Sequence, residues 1–454
     1  MFIGREKELA LLQQDYIGKA AMVYGKRRVG KTTLIQKALK VSRYRTVYFE
    51  CLKGTMQDNI SGFVQELVRA KILPVPLNFG ALQDVFTYLN ALPEKIIVVI
   101  DEYPYLKAMN DSATVDSIFQ NIIDNRLANI ELILSGSHIG MMKDTLQEKN
   151  ALYGRFAVTI KLNELNYLEA AKFYPDKTPY DKAAHYAVFG GSPFVNQALN
   201  PAATIRENII NTSLNPMSAV YLYASQLLLS DYSVKINAER IFSVIGNGKK
   251  RYTEIEDKLD VKKTGNLSKQ IKSLIDLEII ARNSPINKIG DNKKSTFEIN
   301  DNLLRFYFTF IYKNASALQV LGAEAFYDEY IAPALTDFIS RRFEGVCRDY
   351  FSLQVRSGKM KGVRNIGSYY YDDPIYRKNG EFDVALEFAD GYEIYEAKYY
   401  AQPMTLDEIH REVQQVEEIK ELTVKQIGFI AINGFAERKE PYLYLDGNDI
   451  FANE

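Results

Sequence analysis

The segment Gly25-Lys26-Arg27-Arg28-Val29-Gly30-Lys31-Thr32 decides the fold of the first part of this chain. It follows the apolar run Ala20–Tyr24, which predicts a buried strand, and it precedes residues 33–39, which predict a helix. A loop between a strand and a helix N-terminus directs several backbone N–H groups at one point, where the helix dipole also favours negative charge. Two glycines allow the tight curl. The segment therefore predicts a phosphate-binding loop at the edge of an α/β sheet.

Two side chains of this loop have predicted roles. The Lys31 ammonium reaches the β- and γ-phosphates of a nucleoside triphosphate, and the Thr32 hydroxyl ligates Mg²⁺. The predicted nucleotide site also includes Gly25, Gly30, Arg28, Val29 and Thr33. A chance glycine-rich turn is the alternative, but the spacing and both flanks argue against it.

A pair of carboxylates is predicted at the carboxyl end of a second buried strand. The apolar run at residues 96–100 ends in Asp101 and Glu102, and an uninterrupted run of this kind is typical of a central parallel strand. There Asp101 would hold Mg²⁺ through water, and Glu102 would act as the general base on the attacking water. A solvated strand end is the alternative for either acid alone.

Two further polar residues are candidates for the chemistry of phosphoryl transfer. Ser135 follows a third apolar run, residues 130–134, where its hydroxyl could bond the γ-phosphate or the attacking water. A serine-rich turn is the alternative. Arg155 precedes another apolar strand and could stabilise negative charge near the γ-phosphate. An ion pair with a local carboxylate is the alternative for Arg155.

The composition is that of an ordinary globular protein, with 25% charged and 47% hydrophobic residues among 454. This length predicts about three domains. The net charge of −1 confines any nucleic-acid surface to a local patch. Cys51 and Cys347 are far apart in sequence and predict a reducing compartment without disulfides. Since no apolar run is long enough to span a bilayer, we expect a cytoplasmic protein without membrane contact.

Six short motifs within the first 235 residues occur in the order of one family. They are Gly4-Arg5-Glu6, residues 25–32, Asp101-Glu102, Ser135-Gly136-Ser137, Tyr153-Gly154-Arg155 and Gly190-Gly191-Ser192-Pro193-Phe194. The series resembles the archaeal and bacterial branch of the STAND-type AAA+ ATPases. The resemblance implies ATP and Mg²⁺ as ligands, and it leaves a homo-oligomer open. It also implies that Ile3, Gly4 and Arg5 lie near the adenine, with Pro193 in a helical lid over the nucleotide.

Residues 239–300 predict a winged helix. Three helices with apolar stripes are followed by two short strands around the polar tip 290–294. Residues 247–294 contain 12 Lys/Arg against 7 Asp/Glu, and this local excess can neutralise phosphates of nucleic acid, with DNA as the expected partner. The third helix would present to a groove its solvent-facing residues Asn266, Lys269, Gln270 and Ser273. A winged helix used only for packing is the alternative.

The C-terminal sequence predicts a hairpin that carries two acids and a lysine. Asp390-Gly391 is a strong signal for a two-residue turn. With these turn residues, Asp383 lies opposite Lys398, and Glu396 lies two positions before Lys398 on the same strand. Because side chains alternate with period two, Asp383, Glu396 and Lys398 share one sheet face. A solvated face with cross-strand ion pairs is the alternative.

The pattern Asp383-x12-Glu396-x-Lys398 resembles the core of the PD-(D/E)XK nucleases, without the proline before the aspartate. The resemblance implies that Asp383 and Glu396 hold Mg²⁺ and that Lys398 positions the nucleophile for phosphodiester hydrolysis. Glu344, on an upstream amphipathic helix, matches the extra metal-binding acid of many members. Gln414 lies near the apolar stripe of a downstream helix.

The predicted fold is α/β: a P-loop NTPase parallel sheet with a helical lid, a winged helix and an α/β restriction-endonuclease-like C-terminal domain. The predicted boundaries are 1–165, 166–235, 236–312 and 325–454, with residues 314–323 as a linker. Two functions remain open: an ATP-driven nucleic-acid enzyme with a nuclease domain, and an ATP-dependent signalling or assembly switch whose last domain is a non-catalytic binding module. The intact acids and Lys398 favour catalysis at both sites.

Overall fold

The computed structural model describes residues 2–231, 238–246, 248–260, 265–373 and 378–452. The chain divides into two compact units, residues 1–164 and 165–454. The first unit thus ends one residue before the predicted boundary of the ATPase core. Within the described ranges, every helix is too short or too polar to cross a bilayer.

The first unit is built on a parallel sheet, as its apolar runs predict. The strands are β1 (Ala20–Tyr24), β2 (Arg45–Glu50), β3 (Ile96–Asp101), β4 (Ile130–Gly136) and β5 (Phe156–Lys161). Their order across the sheet is β2-β3-β4-β1-β5. All residues of β1, β3 and β4 are buried because helices cover both faces. The predicted α/β class with a P-loop-type parallel sheet is confirmed.

Helices of the first unit connect these strands. They are α1 (Glu6–Leu12), α2 (Lys31–Lys40), α3 (Met56–Arg69), α4 (Leu82–Asn90), α5 (Pro104–Met109), α6 (Ser112–Asn125) and α7 (Ile139–Asp144). One face of the sheet packs on α2 through Val23, Val99 and Ile133. Because β3, β4 and β1 are neighbours and parallel, the segments that follow Asp101, Gly136 and Tyr24 meet at one edge of the sheet.

The second unit begins with helices whose core extends into the C-terminal domain. They are α8 (Tyr167–Ala171), α9 (Pro179–Phe189), α10 (Pro193–Ala198), α11 (Ile205–Asn208), a π-helical turn (Ile209–Ser213) and α12 (Ala219–Asp231). Tyr167 and Val188 lie in the same apolar cluster as Phe343 and Val384. The predicted lid segment therefore shares one hydrophobic core with the C-terminal domain.

The predicted winged helix follows in the expected element order. It contains α13 (Ala238–Ile245), β6 (Lys250–Arg251), α14 (Tyr252–Leu259), α15 (Asn266–Asp276), β7 (Ile280–Asn283), a 3₁₀ turn (Ile286–Lys288) and β8 (Thr296–Ile299). The three strands form a small sheet of order β6-β8-β7. Gln270, predicted on the solvent face of α15, is buried. That part of the prediction is wrong, since Gln270 packs beside the apolar stripe while Lys269 and Lys272 are exposed.

A helical segment joins the winged helix to the C-terminal sheet. It comprises α16 (Asn302–Phe306), a π-helical turn (Tyr307–Ile311), a 3₁₀ turn (Tyr312–Asn314), α17 (Ala315–Phe326), a second π-helical turn (Tyr327–Ile331) and α18 (Ala332–Arg356). The linker predicted at residues 314–323 is wrong, because this stretch is almost entirely helical and Leu318 is buried. Only Gly322, with φ of 75°, interrupts the helix.

The C-terminal domain is built on a mixed sheet. Its elements are β9 (Asn365–Asp373), β10 (Lys378–Phe388), β11 (Gly391–Lys398), α19 (Leu406–Glu417), β12 (Val424–Ala431), β13 (Leu443–Asp446) and α20 (Gly447–Ile450). The order is β13-β12-β11-β10-β9. The β9, β10 and β11 pairs are antiparallel, and the β11, β12 and β13 pairs are parallel. The predicted α/β C-terminal domain is present as a separate mixed sheet.

The wing of the winged helix lies against the edge strand β9. Asn287 donates from its side chain to the Tyr370 carbonyl at 2.7 Å and accepts from the Tyr370 N–H at 3.0 Å. Lys294 donates to the Tyr370 hydroxyl at 2.7 Å, and Ile286 packs into the core under β9. These contacts cover an otherwise exposed sheet edge. The wing is thus packed on β9, and contact of the winged-helix segment with nucleic acid stays a prediction.

Candidate functional site

The phosphate-binding loop curls between β1 and α2. A Cβ at Gly25 would lie 2.1 Å from the Leu162 carbonyl oxygen, so the close approach of these two segments requires glycine. Gly30 precedes α2 with φ of 95°, a left-handed conformation that glycine adopts without strain. Both glycines therefore allow the curl that the sequence predicts, and the N-terminus of α2 faces the loop.

Lys31 folds back over the loop from the first turn of α2. Its ammonium donates to the carbonyl oxygens of Gly25 at 3.0 Å and Lys26 at 2.9 Å. The residue is only 6% exposed, so its charge is held inside the curl. Arg28 and Thr33 are exposed beside it, whereas the Val29 side chain is buried in the core and leaves only its backbone for a ligand.

Asp101 lies at the end of β3, against the start of α2. One carboxylate oxygen accepts hydrogen bonds from the Thr32 hydroxyl at 3.3 Å and from the Tyr48 hydroxyl. The other accepts from the Glu102 N–H at 2.9 Å. Oxygen atoms of a hydroxyl and a carboxylate are the ligands that Mg²⁺ prefers, so Thr32 and Asp101 fit the predicted metal site.

Tyr48 of β2 is a site residue that the sequence analysis missed. Burial and the neighbouring Asp101 raise the pKa of its phenol, so the hydroxyl stays protonated and donates to the carboxylate. A signal was present, since Tyr48 lies within the apolar and aromatic run of residues 47–49, but nothing in the sequence pairs this run with β3. Only the register, in which Tyr48 lies beside Val99 and Glu50 beside Asp101, brings them together.

Glu102 is held by a serine at the end of the neighbouring strand. Its carboxylate accepts hydrogen bonds from the Ser137 hydroxyl at 2.8 Å and the Ser137 N–H at 3.2 Å. Ser137 thus orients the candidate base, a role that the sequence analysis did not assign. Ser135 is buried and its hydroxyl has no hydrogen-bond partner among the described residues, so its contact with a γ-phosphate stays a prediction. Register places it next to Asp101, because Leu134 pairs with Ile100.

The N-terminal segment with Ile3, Gly4 and Arg5 is fastened beside the loop. Arg5 donates to the Asn163 carbonyl and forms an ion pair with Glu8 at 3.5 Å. Asn163 directly follows Leu162, which abuts Gly25. The segment therefore lies near Gly25, the first residue of the phosphate-binding loop. Its contact with adenine stays a prediction.

Arg155 does not lie near the phosphate-binding loop of its own unit. Its guanidinium binds Asp124 at the end of α6, at 2.9 Å and 3.0 Å. Phe156, the next residue, pairs with Ala20 at the amino end of β1, whereas the loop follows the carboxyl end. Arg155 is thus at the opposite edge of the sheet, and the prediction of a contact with the γ-phosphate bound by the same unit is wrong. The alternative, an ion pair with a local carboxylate, is what the structure shows.

Pro193 lies in the second unit, at the first turn of α10. Gly191 before it is required by packing, because a Cβ there would lie 1.9 Å from the Leu165 carbonyl oxygen. The Leu165 N–H in turn donates to the Gly191 carbonyl at 2.9 Å. This motif therefore anchors the start of the second unit, and the lid role of Pro193 stays a prediction.

The hairpin that carries the second candidate site has a different register from the predicted one. Phe388 pairs with Gly391 and Ala385 with Ile394, so the turn residues are Ala389 and Asp390. Continued past the last pair, Val384 and Tyr395, this register places Asp383 beside Glu396 rather than Lys398, and Glu396 is close enough to raise the pKa of Asp383. The predicted pairing is wrong because Gly391 already belongs to β11.

Asp383 lies in a β-bulge where the hairpin opens. The register of β10 on β9 shifts between Phe382 and Ala385, and the pairing of β10 with β11 ends at Val384 and Tyr395. Bulges of this kind occur next to active sites, where they re-aim a side chain. Arg348 of α18 donates to the Asp383 carbonyl at 2.6 Å and so fixes the backbone of the bulge.

Lys398 bridges two carboxylates. Its ammonium lies 2.6 Å from Glu396 and 3.1 Å from Glu412 of α19. Glu412 is a second residue that the sequence analysis missed, although it lies three positions after the buried Ile409, at the border of the apolar stripe. Gln414, which was named instead, is exposed and donates to Glu418.

The electrostatics of this cluster follow from its geometry. Burial and the facing Glu396 raise the pKa of Asp383, and burial also raises the pKa of Glu396 despite the neighbouring Lys398. For Lys398, burial lowers the pKa, but Glu396 and Glu412 raise it by more, so the ammonium stays charged. Burial and the neighbouring acids thus favour the protonated form of these two carboxyls when no cation is bound.

Glu344 lies on α18, the amphipathic helix upstream of the hairpin. It forms an ion pair with Lys249 of the winged helix at 3.6 Å. Glu344 is close enough to raise the pKa of Asp383 further. Within the described ranges, however, no three acidic, histidine or cysteine side chains converge as a metal site. The role of Glu344 as a third metal-binding acid beside Asp383 and Glu396 stays a prediction.

Comparison with protein families decides the class of the first part of the chain. Residues 2–195 match a family described as an ATPase domain predominantly from Archaea. Residues 2–195 form a P-loop ATPase-like domain. The match to this ATPase-like domain extends beyond the first unit and includes Pro193. Residues 307–415 match a second family, described as archaeal and bacterial proteins of unknown function, and this range contains Glu344, Asp383, Glu396 and Lys398.

Single proteins are also similar to large parts of this chain. An uncharacterized protein of Methanocaldococcus jannaschii is 28% identical over 358 residues, which cover 77% of this chain and 77% of the relative. A Walker-type ATPase of Pyrococcus abyssi has a TM-score of 0.50 at 18% identity, over 68% of this chain and 96% of that protein; this likeness concerns the fold alone. The ORC2 protein of Aeropyrum pernix, solved as ADPNP–ADP complexes, has a TM-score of 0.46 at 13% identity, over 67% and 92% of the two chains.

Proposed function

We propose that this protein hydrolyses ATP and acts on nucleic acid, and that its C-terminal domain cleaves phosphodiester bonds with Mg²⁺. The observation that carries the second part is the bulged strand that sets Asp383 against Glu396 beside the charged Lys398. The basic winged-helix segment supports nucleic acid, with DNA as the first candidate. The cytoplasmic location and the homo-oligomer stay predictions.

In the proposed ATPase reaction, the chain supplies positioning and a base. The loop N–H groups and Lys31 bind the phosphates, and Thr32 and Asp101 would hold Mg²⁺, which neutralises charge on the transferred phosphoryl group. Glu102, oriented by Ser137, accepts the proton of the attacking water. Ser135 is the nearby unpaired hydroxyl for the γ-phosphate or the water.

The variant Glu102→Gln tests this assignment. Turnover of ATP should fall by about 10²–10⁴-fold, while ATP binding stays within about threefold, since the amide keeps the shape of the side chain but cannot accept the proton. Steady-state phosphate release and nucleotide titration measure the two quantities. Glu94→Gln is the matched control, because Glu94 is half exposed in a surface ion pair with Arg45 and should change neither. Unaltered turnover in Glu102→Gln would rule out this base.

In the proposed cleavage reaction, Asp383, Glu396 and the Ala397 carbonyl would hold Mg²⁺, which supplies a polarised phosphate and a more acidic water. Two carboxylates suffice for this ion, because phosphate and water oxygens complete its shell. The Lys398 ammonium, fixed by Glu396 and Glu412, positions the attacking water and stabilises the negative charge that develops on the phosphate.

The variant Lys398→Ala should lose cleavage of labelled DNA by about 10²-fold or more while ATP turnover stays at the wild-type rate. Glu396→Gln should behave in the same way. Lys425→Ala is the matched control, since Lys425 pairs with Asp390 at the far end of the hairpin and should cleave normally. Gel analysis of product with and without Mg²⁺ provides the measurement. Cleavage that persists in Lys398→Ala would refute the nuclease assignment.

One observation favours the alternative of a switch with a non-catalytic binding module. Lys398 is fully engaged by two carboxylates, and Lys249 reaches Glu344 at the border of the same site. A wild-type protein that hydrolyses ATP but leaves every DNA substrate intact in Mg²⁺ would establish this alternative.

A further inference from the structure

A cleft of about 450 Å³ lies between the winged helix and α18. Its wall carries five cationic side chains and two acidic ones. The charged lining residues are Lys249, Lys250, Arg305, Arg341, Arg342, Asp337 and Glu344. Such an excess of one sign within a concave surface focuses the electrostatic field and attracts anions.

The cations of the cleft fall into two classes. Arg305 and Arg342 both bind the buried Glu298 at 2.9 Å, so their charge is compensated in part within the protein. Lys250 and Arg341 have no ion-pair or hydrogen-bond partner among the described residues. The backbone makes room for Arg341, because a Cβ at Gly248 would lie 2.9 Å from its Nη1 atom. The cleft therefore presents uncompensated positive charge.

The cleft continues into the acidic site of the C-terminal domain. Glu344 lines the cleft, and Lys249 spans from Glu344 at 3.6 Å to Glu381 at 3.8 Å. Arg341, Glu344 and Arg348 recur at three- and four-residue spacing along one face of α18. Arg348 touches the bulge at Asp383, and seven residues of helix place it about 10 Å from Arg341 along the axis.

We propose that this cleft binds the phosphate backbone of a polynucleotide whose scissile bond lies at Asp383 and Glu396. The inference rests on the proposed nuclease function and names the route of its substrate. The distance of about 10 Å along α18 corresponds to about three nucleotides of a duplex strand at 3.4 Å each, so one strand can contact Arg341 and reach the acids. The wing is packed on β9, so it does not contribute a surface for this strand. The cleft is the concave basic surface that lies beside Asp383 and Glu396.

Binding in EDTA separates this inference from cleavage. The full-length protein is titrated with a fluorescent 30-nucleotide DNA duplex over a range of salt concentrations. The variant Lys250→Ala/Arg341→Ala removes the two uncompensated cations without breaking an ion pair. The matched variant Lys269→Ala/Lys272→Ala removes the same charge from the exposed face of α15, where a winged helix would enter a groove.

We expect the cleft variant to bind at least tenfold more weakly at low salt, with a slope of log affinity against log salt that is smaller by about 2, since each phosphate contact contributes about 0.9. The α15 variant should stay within threefold of wild type. Thymidine monophosphate in excess should not displace the DNA, because a single phosphate makes only one of these contacts.

Three results would overturn the inference: a cleft variant within threefold of wild type, equal weakening of both variants, or full displacement by thymidine monophosphate, which would identify a small phosphate ligand. If the cleft variant binds the duplex more weakly but the wild-type protein does not cleave DNA, the inference about binding stands and only the nuclease function is refuted.

Discussion

Replacing Lys31 by alanine is expected to reduce ATP hydrolysis to the rate of a protein-free blank and to weaken ATP binding severely. The Lys31 ammonium is buried inside the curl and donates to the carbonyl oxygens of Gly25 and Lys26. Its removal takes away the positive charge that the loop directs at the phosphates. Loss of one preorganised donor costs about 10²–10³-fold in rate, and the loss of ground-state binding adds to this.

Lys40→Ala is the control for that experiment. Lys40 is exposed at the other end of the same helix, so the variant has the same change of charge and of helix composition but no effect at the phosphates. Isothermal titration with ATP and phosphate-release assays cover binding and turnover. Normal turnover in Lys31→Ala would show that the loop does not bind the triphosphate in the reaction measured, and the ATPase proposal would fail with it.

The second large effect is expected from Glu298→Ala, which should lower the local stability by about 3–5 kcal/mol. Glu298 of β8 is 8% exposed and is bonded to Arg305 and to Arg342 of α18. Truncation leaves two guanidinium groups without their counter-charge in a buried place, and breaking a buried ion pair in this way costs about this much. The pairing also joins the winged helix to α18, so the contact between them should open.

Hydrogen exchange of peptides that cover β8 and residues 338–345 measures this effect. Protection should fall in both peptides together, whereas Glu421→Ala, at an exposed position, should stay within about 0.5 kcal/mol of wild type. Unchanged protection of the α18 peptide in Glu298→Ala would contradict the proposed joint.

The stabilisation by Glu298 should also depend on pH. Burial raises the pKa of Glu298, but Arg342 and Lys249 lower it by more, so the carboxyl titrates below its ordinary value. The stabilisation is therefore complete at neutral pH and is lost as the pH falls through the folded-state pKa. The difference between wild type and Glu298→Ala should shrink in acid.

Local patterns predicted the elements well where one short segment contains the whole signal. The loop from Gly25 to Thr32 needs only its own glycines and its flanking strand and helix, and the fold follows from it. The apolar run before Asp101 is likewise sufficient for a buried parallel strand. The hairpin shows the limit: Asp390-Gly391 indicated a turn, but Gly391 pairs with Phe388 in the sheet, so the turn residues are Ala389 and Asp390 and the register shifts by two.

Roles that depend on distant partners were outside the reach of local patterns. The residues around Arg155 are the same whether its side chain contacts a phosphate or Asp124. Only the tertiary structure decides between them, because it places Arg155 at the amino end of β5, away from the phosphate-binding loop. Ser135 and Ser137 are two positions apart, and only the tertiary structure shows that Ser137 is the one that bonds the Glu102 carboxylate. Glu412 carries no signal of its own until α19 packs over Lys398.

The amino-acid sequence by itself determined the phosphate-binding curl, the strand-end acids and the alternation that groups Glu396 with Lys398, because each depends on backbone geometry over a few neighbouring residues. The tertiary structure alone decided the facing of Asp383 and Glu396, the docking of the wing on β9 and the basic cleft along α18. These depend on register and on contacts between residues separated by tens of positions, where small differences in packing free energy choose among arrangements that local preferences leave equal.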